Sequence, residues 1–192
     1  MDALNLHWFS WMAAGYQPQP VLLAWARLWA VYGGWVAVAT MAWLGWRHRA
    51  ARMYWLGCLL MCLLGVLLAH RLALGIGHAR PFMLGLSPAY IAHAARGSLP
   101  SVHATALFTV GFCLLRSPAL RAGGWVVLAV AALVGWGRVY CGIHFPFDIL
   151  AGAALGLNLA VVYDWLWIHM AARTKAASTH QGGAAVALGA PE

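Results

Sequence analysis

The sequence predicts an all-α integral membrane helical bundle: about five transmembrane helices, preceded by an N-terminal amphipathic helix. Three observations carry this. Of the 192 residues, 64% are hydrophobic and only 8% are charged, where a soluble domain holds about a quarter charged and just under half apolar residues. A chain this short keeps much of its surface in contact with its solvent, so the apolar excess, with a mean hydropathy of +0.75, must face lipid. The apolar residues also fall in long runs separated by short arginine-bearing gaps. Intrinsic disorder, collagen-like repeats and a disulfide scaffold are excluded by the same composition.

Leu4, Trp8, Trp11 and Met12 recur at helical spacing beside His7 and Ser10, which predicts a helix lying in the membrane interface. The spans then run from about Val21 to Trp46, Met53 to Gly75, Ser101 to Leu115, Trp125 to Tyr140 and Phe147 to Trp167. A bilayer core takes ~20 apolar residues per helix, so the third and fourth spans are short and their ends should be sunk in protein. Residues 1–172 form one membrane-embedded domain, and the Ala-, Gly- and Ser-rich stretch 173–192 is expected to be a disordered tail. No secretory signal peptide is expected, since a basic n-region and a small-residue cleavage site are missing at the start.

Twelve Lys+Arg stand against Asp2, Asp148, Asp164 and Glu192, a net charge of +8. In a soluble protein that balance points to nucleic acid. Here the basic residues sit between spans, so they mark topology and no nucleic-acid partner is expected. Arg47, Arg49 and Arg52, then Arg116 and Arg121, then Arg173 and Lys175 fall on one side if every span crosses, and by the positive-inside rule that side is the cytoplasm. The other side receives the N-terminus, the long segment from Ile76 to Pro100 and the turn from Gly142 to Pro146. Cys58, Cys62, Cys113 and Cys141 lack zinc-site spacing and read as small buried hydrophobes. No metal and no cofactor is expected.

Polar residues that topology does not explain gather on that second side: Arg80-Pro81, His93, Arg96, Ser98 to His103, Arg138, His144 and Asp148. Pro100-Ser101 before an apolar run predicts a helix start with Ser101 as N-cap. Such a start is an anion site, and His103 lies in its first turn. Pro146 opens the last helix, and Asp148 follows His144 by four residues, close enough to accept a hydrogen bond from one imidazole nitrogen. The other nitrogen is then fixed as an unprotonated nucleophile or base. Arg80 and Arg138 add fork-shaped donors suited to a phosphoryl group. Ionisable residues in a membrane protein default to function, and this set predicts phosphoryl transfer through a phosphohistidine.

Arg80-Pro81, Leu99-Pro100-Ser101-Val102-His103 and the run Gly137 to Asp148 resemble the three signature motifs of the type-2 phosphatidic acid phosphatase superfamily. His93-Ala94-Ala95 with Ser98-Leu99-Pro100-Ser101 is similar to its bacterial undecaprenyl-diphosphate phosphatases, and the resemblance covers about Leu4 to Met170. It implies a six-helix phosphatase core in the bacterial inner membrane, with the site facing the periplasm. By resemblance His144 is the nucleophile, Asp148 orients it, and His103 is the general acid and then the base. Arg80, Ser101 and Arg138 bind the phosphoryl oxygens, with His93 beside them, and no metal is required. The substrate implied is undecaprenyl diphosphate, hydrolysed to the monophosphate and inorganic phosphate. Another lipid phosphate, such as phosphatidylglycerol phosphate or lipid A, is the alternative.

The chain departs from the family pattern in three places. Ala73 stands where the first motif often has Lys; Arg71, two residues further back, or His78, which is nearer and is counted among the phosphate-binding residues, is the candidate substitute donor. Arg96 and Gly97 stand where the undecaprenyl-diphosphate subgroup usually has acidic residues, and Gly137 replaces a frequent Ser. Two other classes were weighed. A b-type haem protein would use His70, His103 and His144 but leaves the Arg and Ser residues without a part. A non-catalytic lipid-binding protein or transporter would show an inverted repeat or mid-membrane charge, or would have lost a histidine.

Overall fold

The structure, a computed structural model, describes residues 3–188, with side chains through Arg173. Six helices follow one another: α1 (Ala3–Met12), α2 (Pro20–Arg47), α3 (Arg52–Ile76), α4 (Val102–Arg116), α5 (Arg121–Tyr140) and α6 (Pro146–Leu188), with no strand among the described residues. The proline at the head of α2 and of α6 sits where a missing N–H removes no helical bond. Helices α2, α3, α5 and α6 lie in segments long and apolar enough to cross a membrane. Helix α4 is apolar but has only 15 residues. It occupies the centre, packed on α3, α5 and α6, while α2 lies along α5. The side chains from residue 174 on, and residues 189–192 altogether, are outside the described residues, and the expected tail falls there.

Outward-facing leucines and tryptophans, such as Trp35, Leu60, Leu63, Leu67 and Trp165, are exposed along α2, α3 and α6, as lipid-facing surface should be. The buried seam between them is made of small and medium residues, including Cys58, Cys113, Leu114, Val127 and Ala131. All four cysteines are free; Cys62 alone is partly exposed. At the end of the bundle bearing Arg116, the Tyr54 hydroxyl donates to the Cys113 carbonyl at 2.9 Å and Tyr163 donates to the Tyr54 carbonyl at 2.8 Å. Apart from the Arg116–Asp164 ion pair, the described residues at that end make packing contacts and hold no buried polar cluster of the kind found at the other.

Helix α1 does more than lie in the interface. Leu4, Trp8 and Trp11 are exposed together with His7 and Ser10, so polar and apolar residues are not sorted onto opposite faces, and the face bearing Asn5 and Phe9 is docked. Phe9 packs on Phe145 with ring centroids 5.1 Å apart, and the buried Asn5 side-chain oxygen accepts the Phe147 backbone N–H at 3.1 Å. One orphan amide at the start of α6 is thereby satisfied.

Gly137 explains one departure from the family pattern. A Cβ at this position would stand 2.6 Å from the Ala26 carbonyl oxygen, because α2 runs directly against α5 there. Gly137→Ser should therefore destabilise the protein by about 1–3 kcal/mol, the ordinary range for overpacking, and gain no activity from the added hydroxyl. A thermal melt in detergent beside a rate measurement checks both; an unchanged Tm would show that the two helices are free to separate.

The segment from Gly77 to Pro100, expected as a loop on the outer side, is folded down onto the helix ends. Arg80, Ser87 and Ser98 are buried within it. Tyr90 joins it to the third-motif turn, its N–H donating to the Cys141 carbonyl at 3.1 Å.

Candidate active site

Asp148 stands in the first turn of α6 and is fully buried. One carboxylate oxygen accepts from the Phe145 backbone N–H at 2.8 Å and lies 3.2 Å from His144 Nδ1. The other accepts from the Ser98 hydroxyl at 3.3 Å. On the far side of the imidazole, Arg80 Nη1 lies 3.1 Å from Nε2 and the Ser101 hydroxyl lies 3.4 Å from it. An arginine only donates, so Nε2 must be the acceptor. The tautomer follows: the proton sits on Nδ1 facing Asp148, and Nε2 is unprotonated, its lone pair accepting from Arg80. Burial, reinforced by Arg138 and Arg80, pushes the His144 imidazole well below its ordinary range, so it is neutral at pH 7.

Arg80 is held as firmly as the histidine. Its Nε donates to the Arg96 carbonyl at 3.0 Å, Nη2 to the Gly97 carbonyl at 3.0 Å and Nη1 to the Ile143 carbonyl at 2.7 Å. Gly97 must be glycine, since a Cβ there would overlap the Ala73 carbonyl oxygen. An acidic residue at this position, usual in the undecaprenyl-diphosphate subgroup, has no room in this chain. Arg138 is 3% exposed, donates through Nη1 to the Ala30 carbonyl at 3.3 Å, and keeps a buried Nε without a hydrogen-bond partner among the described residues. A buried donor left unpaired costs about 1–3 kcal/mol, which marks the guanidinium as waiting for an acceptor.

These groups face a cavity of about 210 Å³ lined by His70, Arg80, His93, Arg96, His103, Arg138 and His144 among others. Ser101 caps α4 as the sequence predicts, its hydroxyl accepting the Ala104 N–H at 3.5 Å, and its own N–H donates to the Asp148 carbonyl at 3.0 Å. The start of α4 and the start of α6 are thus tied together beside His144. His103 reaches the cavity from the first turn of α4, and the His93 ring stands 6.1 Å from the His144 ring at 79°. Burial also lowers the His93 pKa below its usual value.

His78 is elsewhere. Its Nδ1 is 2.9 Å from the Ser98 hydroxyl and 3.8 Å from the Asp148 carboxylate, with its ring against Phe145. Because Ser98 draws it behind Asp148, it supports the acid, and the expected donation to phosphate is corrected. Ser98, which the sequence places in the stretch similar to the undecaprenyl-diphosphate phosphatases but without a stated role, bonds to both His78 and Asp148.

The arrangement gathers a neutral imidazole with an unprotonated Nε2, two arginines, a hydroxyl and a helix start around one small space. Residues 54–172 match the PAP2 superfamily. Over 90 residues the chain is 33% identical to YbjG of Escherichia coli (strain K12), whose name provisionally assigns it an undecaprenyl-diphosphatase activity; the match covers 47% of this chain and 45% of that protein. Over 133 residues it is 36% identical to a lipid A 1-phosphatase of Rhizobium etli, covering 61% and 55%. The chain spans about half the length of these curated relatives. The crystal structure of Aquifex aeolicus LpxE shares the fold, with a TM-score of 0.70 and 24% identity over 84% of this chain and 95% of that one. With well over half its length matched to the family, the chain belongs to the PAP2 superfamily.

Proposed function

We propose that this protein is a lipid phosphatase of the bacterial inner membrane, with its site facing the periplasm, and that it hydrolyses undecaprenyl diphosphate to undecaprenyl phosphate and inorganic phosphate. The observation that carries the reading is the Asp148–His144 pair whose unprotonated Nε2 faces Arg80 and Ser101. In the resting site Arg80 Nη1 is shared between His144 and the Ile143 carbonyl. An arriving phosphoryl oxygen takes over the first of these bonds and leaves Nε2 in line with the phosphorus. Nε2 attacks, the bond to the leaving oxygen breaks, and His103 supplies the proton that oxygen needs. His103 then takes a proton from water, which attacks the phosphorus and releases phosphate from His144. Arg80, Arg138, Ser101 and the first turn of α4 neutralise the charge throughout.

Undecaprenyl diphosphate is favoured over other lipid phosphates by the YbjG likeness; the lipid A 1-phosphatase likeness supports the alternative headgroup. Purified protein in detergent, with EDTA present, should release phosphate from undecaprenyl diphosphate faster than from phosphatidylglycerol phosphate, phosphatidic acid or lipid A. Release from lipid A alone would move the assignment to that headgroup, and silence on the whole panel would overturn the phosphatase reading.

A further inference from the structure

The cavity holds more positive charge than one phosphoryl group needs. A phosphate monoester carries about −1.5 to −2 at pH 7, which Arg80 and Arg138 match between them. A third arginine, Arg96, lines the same cavity, as does His70, and no aspartate or glutamate lines it. Asp148 lies behind His144, engaged by Phe145 and Ser98. Arg96 is exposed and is anchored only through its backbone: its carbonyl accepts from Arg80 and its N–H donates to the Ala94 carbonyl at 2.9 Å. Its guanidinium makes no hydrogen bond or ion pair among the described residues. His70 is exposed and projects from the face of α3 that also carries Ala73 and Leu74 to the cavity, with Arg71 as its neighbour in the chain.

We infer that Arg96 and His70 form a second anion subsite, which takes the inner phosphoryl group of a lipid diphosphate while the outer one sits on Arg80, Ser101 and Arg138. The inference rests on the phosphatase reading and sharpens it to diphosphates. It also carries a kinetic consequence. When His144 Nε2 bonds to the outer phosphorus, the bond from that phosphorus to the bridging oxygen breaks. The electron pair stays on the oxygen, which becomes a free oxygen of the lipid monophosphate. The inner phosphoryl group therefore gains negative charge as the bond breaks, until the His103 proton reaches its oxygen, and Arg96 stabilises what develops in between. A lipid monoester leaves as an alcohol protonated by His103 and places no such charge near Arg96.

Farnesyl diphosphate and farnesyl phosphate share one tail and differ only in this group, so they test the subsite in the full-length protein. Arg96→Gln should lower kcat/KM on the diphosphate about 10–100-fold, the usual effect of losing one charge-assisted contact, and lower it on the monophosphate by a much smaller factor. Arg96→Lys should recover most of the loss, and His70→Gln should shift the ratio in the same direction by less. Because Arg80 grips the Arg96 carbonyl and not its side chain, these variants keep the backbone contact. Equal losses on both substrates, or none, would overturn the subsite. Wild-type protein that cleaves only the monophosphate would overturn it too while leaving the phosphatase standing; cleavage of neither would remove the phosphatase reading itself.

Discussion

His144→Ala is expected to reduce phosphate release to background, a loss on the order of 10⁴-fold or more, as when a covalent nucleophile is removed elsewhere. The structure gives the reason in one distance set. Nε2 is the basic lone pair that faces Arg80 and Ser101 together. His93 and His103 reach the cavity, but neither is paired with a carboxylate that fixes its tautomer. Deleting the ring leaves Asp148 its bonds to the Phe145 N–H and to Ser98, so the helix ends stay joined and the protein should still elute as the wild type does in detergent. His144→Gln keeps most of the volume and separates a packing defect from a chemical one. Turnover in folded His144→Ala above one percent of wild type would exclude His144 as the nucleophile.

Asp148→Asn should lower kcat by about 10²–10⁴-fold, by analogy with other histidines oriented by an acid. The oxygen facing His144 already accepts the Phe145 N–H. An asparagine that keeps its oxygen here accepts from both groups but brings no negative charge, and one that turns its NH2 here sets a donor against the Phe145 N–H and donates to Nδ1. The imidazole proton is then driven to Nε2, where the nucleophile's lone pair belongs. KM should change little, since Asp148 does not line the cavity. Rapid-quench measurement of the phosphorylated enzyme should show its formation slowed; a variant with normal kcat and raised KM would assign Asp148 to substrate binding and refute the orienting role.

The helices were legible because lipid makes them so. Apolar runs end where arginine, proline or glycine begins, and the sequence bounds of the five spans fall within a few residues of α2 to α5 and of the start of α6. Ser101 as a cap and Asp148 one turn after His144 were legible for a different reason: both depend on contacts within four residues, which spacing encodes. Contacts to backbone carbonyls were not. Arg80 holds Arg96, Gly97 and Ile143 by their carbonyl oxygens, and every residue owns one, so no residue type announces the partner. The same holds for Asn5, whose only signal is one amide in an apolar helix, and for His78, which proximity in sequence placed beside the phosphate and Ser98 draws behind the acid.

Helix α4 spans 15 residues, or about 22 Å at 1.5 Å per residue, against a hydrocarbon layer of about 30 Å. With the exposed Arg116–Asp164 pair set at one membrane surface, the Ser101 end stops several ångströms short of the other. A headgroup meets that end only where the leaflet dips or the lipid sinks below its neighbours. On the proposed mechanism bilayer thickness thereby enters the chemistry as a reactant-like variable: a thin membrane brings the phosphate level with His144, and a thick one holds it away.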